Sequence, residues 1–158
     1  YKTAVLLGAA LKMGTIVAEA KENCKENSYE FGRNLGIAFQ LQDDYLDCFG
    51  NPETFGKQVG GDIITNKKTF LYLKTLENCN DSEAQELVRL FSSTPKDPTD
   101  KIKKVKDLYV KSGAAEDSLQ EIFTYTEKAN SIIEKLNISH ENKSILKMFS
   151  DQLMNRKV

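Results

Sequence analysis

The sequence predicts an all-α fold, and three observations carry that expectation. Apolar residues recur at three-to-four spacing through successive segments, and no segment alternates at period two for long enough to make a sustained strand. The breaks between these segments hold turn and helix-capping residues. With neither internal repeats nor low-complexity tracts, one all-helical domain is the economical expectation.

The first helix is expected over Thr3 to Asn23, a stretch free of proline in which Leu6, Leu7, Ala10, Leu11, Gly14 and Val17 recur at helical spacing, so that it reads as a buried helix. Ser28 is a candidate cap for a second helix that continues through Phe31, Leu35, Ala38 or Phe39 and Gln42 until Gly50, Asn51 and Pro52 end it. Gly32 and Gly36, four apart with no preceding strand, read as a point of close helix packing. Residues 50–62 are rich in glycine and polar side chains and are expected to form a loop able to close over a ligand. Helical pattern resumes from Ile63 to Glu77, a short helix follows over Glu83 to Leu90, and Ser92 to Thr99 is the clearest linker. Asp97, Pro98 and Asp100 signal the start of a basic amphipathic helix over Thr99 to Val110. Lys111, Ser112 and Gly113 then separate it from a longer helix whose inner face is traced by Leu119, Ile122, Phe123, Thr126, Ala129, Ile133 and Leu136. Ser139 precedes a last helix over Glu141 to Met154.

Composition excludes several functions. The 22 basic and 23 acidic residues leave no net field to draw in a nucleic acid or an anionic membrane, so any anion must be caught locally. The longest apolar stretch, near Val5 to Gly14, is interrupted by Lys12 well short of bilayer length, and no transmembrane segment is expected. Cys24, Cys48 and Cys79 form no C-x-x-C pair and no cluster with the lone histidine, His140. Disulfide and zinc frameworks are therefore not expected, and a reducing, cytoplasmic compartment is the default expectation. There is no P-loop and no Gly-x-Ser-x-Gly elbow.

The chemistry gathers on the second helix. Asp43 and Asp47 lie one turn apart, Asp44 beside them and Gln40 a turn earlier, so three carboxylates and an amide converge. Like charges so placed repel, and a hard divalent cation such as Mg²⁺, which shares its sphere between carboxylates, waters and substrate phosphates, offsets that repulsion. A solvated acidic face is the bland alternative, made less convincing by the neighbours Phe39, Leu41, Leu46 and Phe49. Lys57, Lys67 and Lys68 follow within a glycine-rich loop and the next helix start. Ammonium groups and flexible backbone donors beside metal-binding carboxylates suit a diphosphate. Lys2 is a distant candidate for the same ligand. The basic run Lys101, Lys103, Lys104, Lys106 and Lys111 reads as a solvated helix face, and His140 as a surface or cap-region residue.

Phe39-Gln40-Leu41-Gln42-Asp43-Asp44-Tyr45-Leu46-Asp47, then Phe49-Gly50-Asn51-Pro52-Glu53 and Gly56-Lys57-Gln58-Val59-Gly60-Gly61-Asp62-Ile63, resembles the second aspartate-rich region of trans-isoprenyl diphosphate synthases. Lys2-Thr3-Ala4 resembles the Lys-Thr pair that precedes that region, and Asn66-Lys67 the pair that follows. The diagnostic portions lie before about Asn78, and among members the farnesyl and geranyl diphosphate synthase group is the most similar in appearance. No first aspartate-rich motif precedes Lys2. The resemblance thus implies the C-terminal half of one helical domain of the isoprenoid synthase fold, with the N-terminal half absent and the isolated piece inactive unless another chain supplies the missing helices.

The activity implied by the resemblance is a magnesium-dependent, head-to-tail condensation of an allylic diphosphate with isopentenyl diphosphate, in a homodimer. Carried over by residue, Asp43 and Asp44 engage magnesium, with Asp47 completing the cluster directly or through water. Lys2, Lys57 and Lys67 grip the allylic diphosphate. Thr3 and Gln40 line the reacting end of the pocket, and Phe39 packs near the second substrate. Asp62 either orients Lys67 or shapes the loop, and Lys68 is the weaker candidate ligand. Two other readings stand beside this one: a terpene cyclase-like enzyme that closes one substrate on itself, and a noncatalytic partner subunit of a prenyl synthase.

Overall fold

The computed structural model describes residues 2–51 and 59–155. Among these residues all regular structure is helical: α1 (Lys2–Val17), α2 (Glu22–Phe49), α3 (Gly61–Ile64), α4 (Phe70–Asn78), α5 (Asp81–Leu90), α6 (Thr99–Lys111), α7 (Ala114–Lys135) and α8 (His140–Met154). They pack as two compact units, one drawn from residues 1–40 and 121–156 and the other from 41–120. The long helix α2 contributes to both, as does α7.

In the first unit, small residues let α1 and α2 approach closely. A Cβ on Gly36 would lie 2.6 Å from Ala4 Cα, and one on Gly32 would lie 2.9 Å from both Gly8 Cα and the Leu7 carbonyl oxygen. This is the close packing expected of the glycine pair. Phe31, Leu35, Ala129 and Ile133 form the buried core, with Leu7, Leu11, Leu146 and Leu153 packed against it. The expectation of a wholly buried first helix does not hold. Ala4 and Gly8 are buried, whereas Leu6 and Val17 are 66% and 84% exposed. The apolar stripe on α1 is wider than the face that this unit covers.

Two boundaries also differ from expectation. α1 stops at Val17, and Glu19 adopts a left-handed φ of 52° before α2 begins at Glu22, so no helix runs through to Asn23. Ser28 therefore lies inside α2, buried, and caps nothing. On α7 the expected inner face is only partly inner: Ala129, Ile133 and Leu136 are buried, while Leu119 and Phe123 are 48% and 61% exposed.

The second unit is built on Cys48, Ile63, Leu71, Tyr72, Leu87, Leu90, Phe91, Val105 and Tyr109, with the Tyr72 and Phe91 rings 4.5 Å apart between centroids. The expected helix from Ile63 to Glu77 is two helices. Gly60, at φ 85°, turns the chain into the single turn of α3, and Asn66, at φ 58°, breaks the run before Thr69 precedes α4. α5 is closed by a capping box in which the Asn80 side chain accepts from Glu83 N and the Glu83 side chain accepts from Asn80 N. α6 follows the linker as expected, from Thr99. α8 is capped by Ser139, whose hydroxyl accepts from Asn142 N, and it begins with exposed His140.

Candidate functional site

The candidate residues on α2 fall on either side of the division between the units, and each side has its own geometry. In the first unit, Thr3 Oγ1 donates to Gln40 Oε1 at 3.0 Å, so the start of α1 is tied to the amide that precedes the aspartates. An apolar cavity of about 280 Å³ opens beside this bond, with Thr3, Leu6, Gly36, Phe39, Phe149 and Leu153 on its walls. Thr3 thus meets Gln40 by a hydrogen bond and shares the cavity wall with Phe39. Lys2 is exposed at the beginning of α1.

In the second unit Asp44, Asp47, Asp62 and Lys67 form one connected polar group. Lys67 Nζ donates to Asp44 Oδ1 at 2.9 Å and to Asp62 Oδ2 at 2.8 Å, placing one ammonium between two carboxylates from separate elements. Asp44 is buried and Lys67 is half exposed. Partial burial draws the Lys67 pKa down, but the hydrogen bonds to Asp62 and Asp44 outweigh it and hold the group above the ordinary lysine value. This ammonium stays charged at any physiological pH.

Asp47 has a different environment. Its Oδ2 accepts from Asp62 N at 2.9 Å, and its carbonyl oxygen accepts from Gly60 N at 2.6 Å, so it receives the incoming chain at the start of α3. Burial pushes its carboxyl above the ordinary aspartate value, opposed in part by the hydrogen bond from Asp62. Space at Gly61 is tight, since a Cβ on it would lie 3.1 Å from Asp47 Oδ1 and the carboxylate would have to give way by a few tenths of an ångström. Asp62 therefore meets Lys67 through its carboxylate, the first of its two expected roles, and ties the start of α3 to Asp47 through its backbone N–H.

The donor set fits a hard cation shared with a ligand. Asp43 is half buried and makes no hydrogen bond or ion pair among the described residues, leaving its oxygens available. No group of three His, Cys, Asp or Glu side chains among the described residues could hold an ion by itself. Magnesium sites built for phosphate substrates have this character, one or two carboxylates with the remaining sphere left to water and phosphate oxygens. Asp43, and Asp44 beside its bond to Lys67, are the residues that could hold such an ion.

The remaining expectations are placed as follows. Lys57 lies outside the described residues. Lys68 Nζ sits 5.8 Å from the centre of the Tyr72 ring. Cys24, Cys48 and Cys79 are free, and burial pushes the Cys48 thiol up to about 12, which leaves it inert. No described helix is long and apolar enough to cross a membrane. One expectation on the basic run is overturned: Lys101 is not solvated but 3% exposed, because it lies on the face of α6 that also buries Val105 and Tyr109.

The all-helical architecture of the described residues, with its match to solved prenyl synthases, places the chain in the isoprenoid synthase fold. The chain belongs to the polyprenyl synthetase family, whose model matches residues 1–109. It is 31% identical over 156 residues to the geranylfarnesyl diphosphate synthase of Aeropyrum pernix, a match covering 98% of this chain and 48% of that protein. A crystal structure of geranylgeranyl pyrophosphate synthase matches with a TM-score of 0.88 at 50% identity, covering 99% of this chain and 49% of that one. The polyprenyl synthase of Caulobacter crescentus CB15, crystallised with calcium and isoprenyl diphosphate, matches with a TM-score of 0.85 at 29% identity, over 99% of this chain and 47% of that one. The chain thus spans about half the length of these relatives.

Proposed function

We propose that this chain is the metal- and diphosphate-binding part of a prenyltransferase that joins an allylic diphosphate head-to-tail to isopentenyl diphosphate and releases pyrophosphate. The observation that carries this reading is the Lys67 ammonium held between Asp44 and Asp62 on a chain that matches the polyprenyl synthetase family. The Caulobacter relative's calcium and isoprenyl diphosphate supply the ligand classes that this arrangement suits. The chain corresponds to the C-terminal half of one helical domain, and the active protein is a cytoplasmic homodimer.

Asp43 and Asp44 would present carboxylate oxygens to magnesium, with Asp47, one of whose oxygens already accepts from Asp62 N, completing the cluster directly or through water. Bound magnesium supplies positive charge to the leaving diphosphate. Lys2, Lys57 and Lys67 take the phosphate oxygens, a role that the charged Lys67 ammonium between Asp44 and Asp62 supports. Electrostatic contacts are most effective when they face charge that grows in the transition state, as it does on a departing diphosphate. Thr3 spends its proton on Gln40 and keeps lone pairs on Oγ1, an oxygen suited to face an allylic cation. Phe39, on the wall of the apolar cavity, packs near isopentenyl diphosphate.

The test is product formation by the intact protein with labelled isopentenyl diphosphate, an allylic diphosphate and Mg²⁺, beside an Asp43→Ala variant. A chain-elongated diphosphate that falls by roughly a hundredfold in the variant, on the order of 3 kcal/mol of transition-state stabilisation, is the expected outcome. Products formed without isopentenyl diphosphate would move the assignment to a cyclase. No turnover despite binding of both substrates would move it to a noncatalytic partner subunit.

A further inference from the structure

α6 carries an anomaly. Its buried positions are Lys101, Val105 and Tyr109, spaced four apart on one face, and the first of these is a cation. Burying an ammonium without an acidic partner is costly, and an apolar side chain of similar volume is often the more stable choice. Lys101 nevertheless reaches inward. Its Nζ donates to Asn66 Oδ1 at 2.5 Å and to the Ser93 carbonyl oxygen at 2.9 Å, and lies 5.7 Å from the centre of the Phe91 ring. No carboxylate pairs with it in any described ion pair, so its partners are neutral dipoles and a ring face.

What it holds is the residue before Lys67. Asn66 sits at φ 58°, a left-handed conformation that asparagine tolerates but does not prefer, and its Nδ2 donates to the same Ser93 carbonyl at 3.4 Å. That backbone state sets the direction in which the chain leaves α3 and so the origin of the Lys67 side chain. The Lys67 ammonium then has to meet Asp44 and Asp62 at once. A site that breaks the burial rule while bracing an unusual backbone state next to a functional side chain is where strain is retained for function.

We propose that Lys101 is a positioning residue: through Asn66 it locks the left-handed turn that aims Lys67 at the diphosphate. This inference rests on the reading of Lys67 as a diphosphate ligand. Lys101 itself touches neither the carboxylates nor the ligand. Its effect is transmitted through one hydrogen bond and one backbone conformation, so it belongs with the positioning shell that supports a preorganised site.

The test is a double-variant cycle read as the dissociation constant of inorganic pyrophosphate, with Mg²⁺ present, by calorimetry on the intact protein. Lys101→Met removes the ammonium. Asn66→Gly removes its acceptor while tolerating the same φ, and serves where the first variant does not fold. Each is made in the Lys67 protein and in a Lys67→Met protein. The expected result is about tenfold weaker pyrophosphate binding for Lys101→Met, and several-fold for Asn66→Gly, with either effect under twofold once Lys67 is gone. Equal losses in both backgrounds, or no loss in the Lys67 protein, would overturn the positioning role and leave the diphosphate reading standing. Should Lys67→Met alone leave pyrophosphate affinity unchanged, the role of Lys67 falls, and this inference with it.

Discussion

Gly36→Ala adds one methyl group where α1 and α2 cross, and the structure sets both the sign and the size of its effect. The new Cβ would lie 2.6 Å from Ala4 Cα and 3.2 Å from Ala4 N, both backbone atoms that cannot rotate away. Carbon atoms prefer a separation of about 3.5–4.0 Å, so the helices must part by roughly 1 Å. Overpacking against rigid backbone at this distance falls near the upper end of its usual range, about 3 kcal/mol, against which the better helix propensity of alanine returns about 0.5–1 kcal/mol, for a net loss of roughly 2 kcal/mol. The same substitution at Gly14, which has nothing within 4 Å, has no such collision and should stabilise by up to about 1 kcal/mol. Urea unfolding of the two variants beside the wild type reads both values. The displacement also reaches chemistry, because Ala4 follows Thr3, whose hydroxyl is tied to Gln40 one turn beyond Gly36. Stability of Gly36→Ala equal to or above that of the wild type would refute the account of this crossing.

Three further outcomes are expected. Lys67 has a folded pKa above its unfolded value, so its contribution to stability is complete below the unfolded pKa and is lost as pH rises through the folded one. The stability gap between wild type and Lys67→Met should accordingly be flat through neutral pH and close above about pH 10.4, as followed by urea midpoints. Asp47 has the opposite sign for a carboxylate, since its folded pKa is raised: the folded state holds the proton more tightly, and wild type should gain stability relative to Asp47→Asn as pH falls from neutral through that raised value. Asn80→Ala removes the acceptor for Glu83 N and opens the capping box, which should lower thermal stability by about 1 kcal/mol while leaving any pyrophosphate affinity unchanged.

Much of the fold was legible because the helices announce themselves through apolar spacing and punctuation. Ser139 and the Asp97-Pro98 step marked real helix starts, and Lys111 to Gly113 marked a real break. The misreadings have local causes. α1 ends at Val17 and the chain turns at Glu19, in the left-handed region where the usual signal is glycine or asparagine, so nothing in the sequence marks that stop. Asn66 breaks the helix expected from Ile63, and asparagine is a weak breaker unless something holds it. Burial was harder still: Leu6 and Phe123 keep a helical spacing that says which residues share a face, not whether this chain covers that face.

The site divides in the same way, between what a single helix determines and what tertiary contacts determine. The helical phase of Asp43, Asp44 and Asp47 is fixed by the pitch of α2 alone and was readable from spacing, but the three do not gather into one ion-holding group among the described residues. Their differences were not readable there. Asp44 is buried against the Lys67 ammonium, Asp47 is engaged by the turn into α3, and Asp43 alone has no described partner, distinctions made by residues 15 or more positions away. Lys101 is the clearest case. On its own helix it is one lysine of a basic run, and a wet face was the sound expectation. The opposite follows only from the loop that α6 packs against, where Ser93 and Asn66 turn their oxygens inward and leave a place that a donor on a long apolar stem can fill. Buried polar roles of this kind are properties of the cavity before they are properties of the residue, which is why the lysine that aims Lys67 was invisible while the aspartates that it serves were plain.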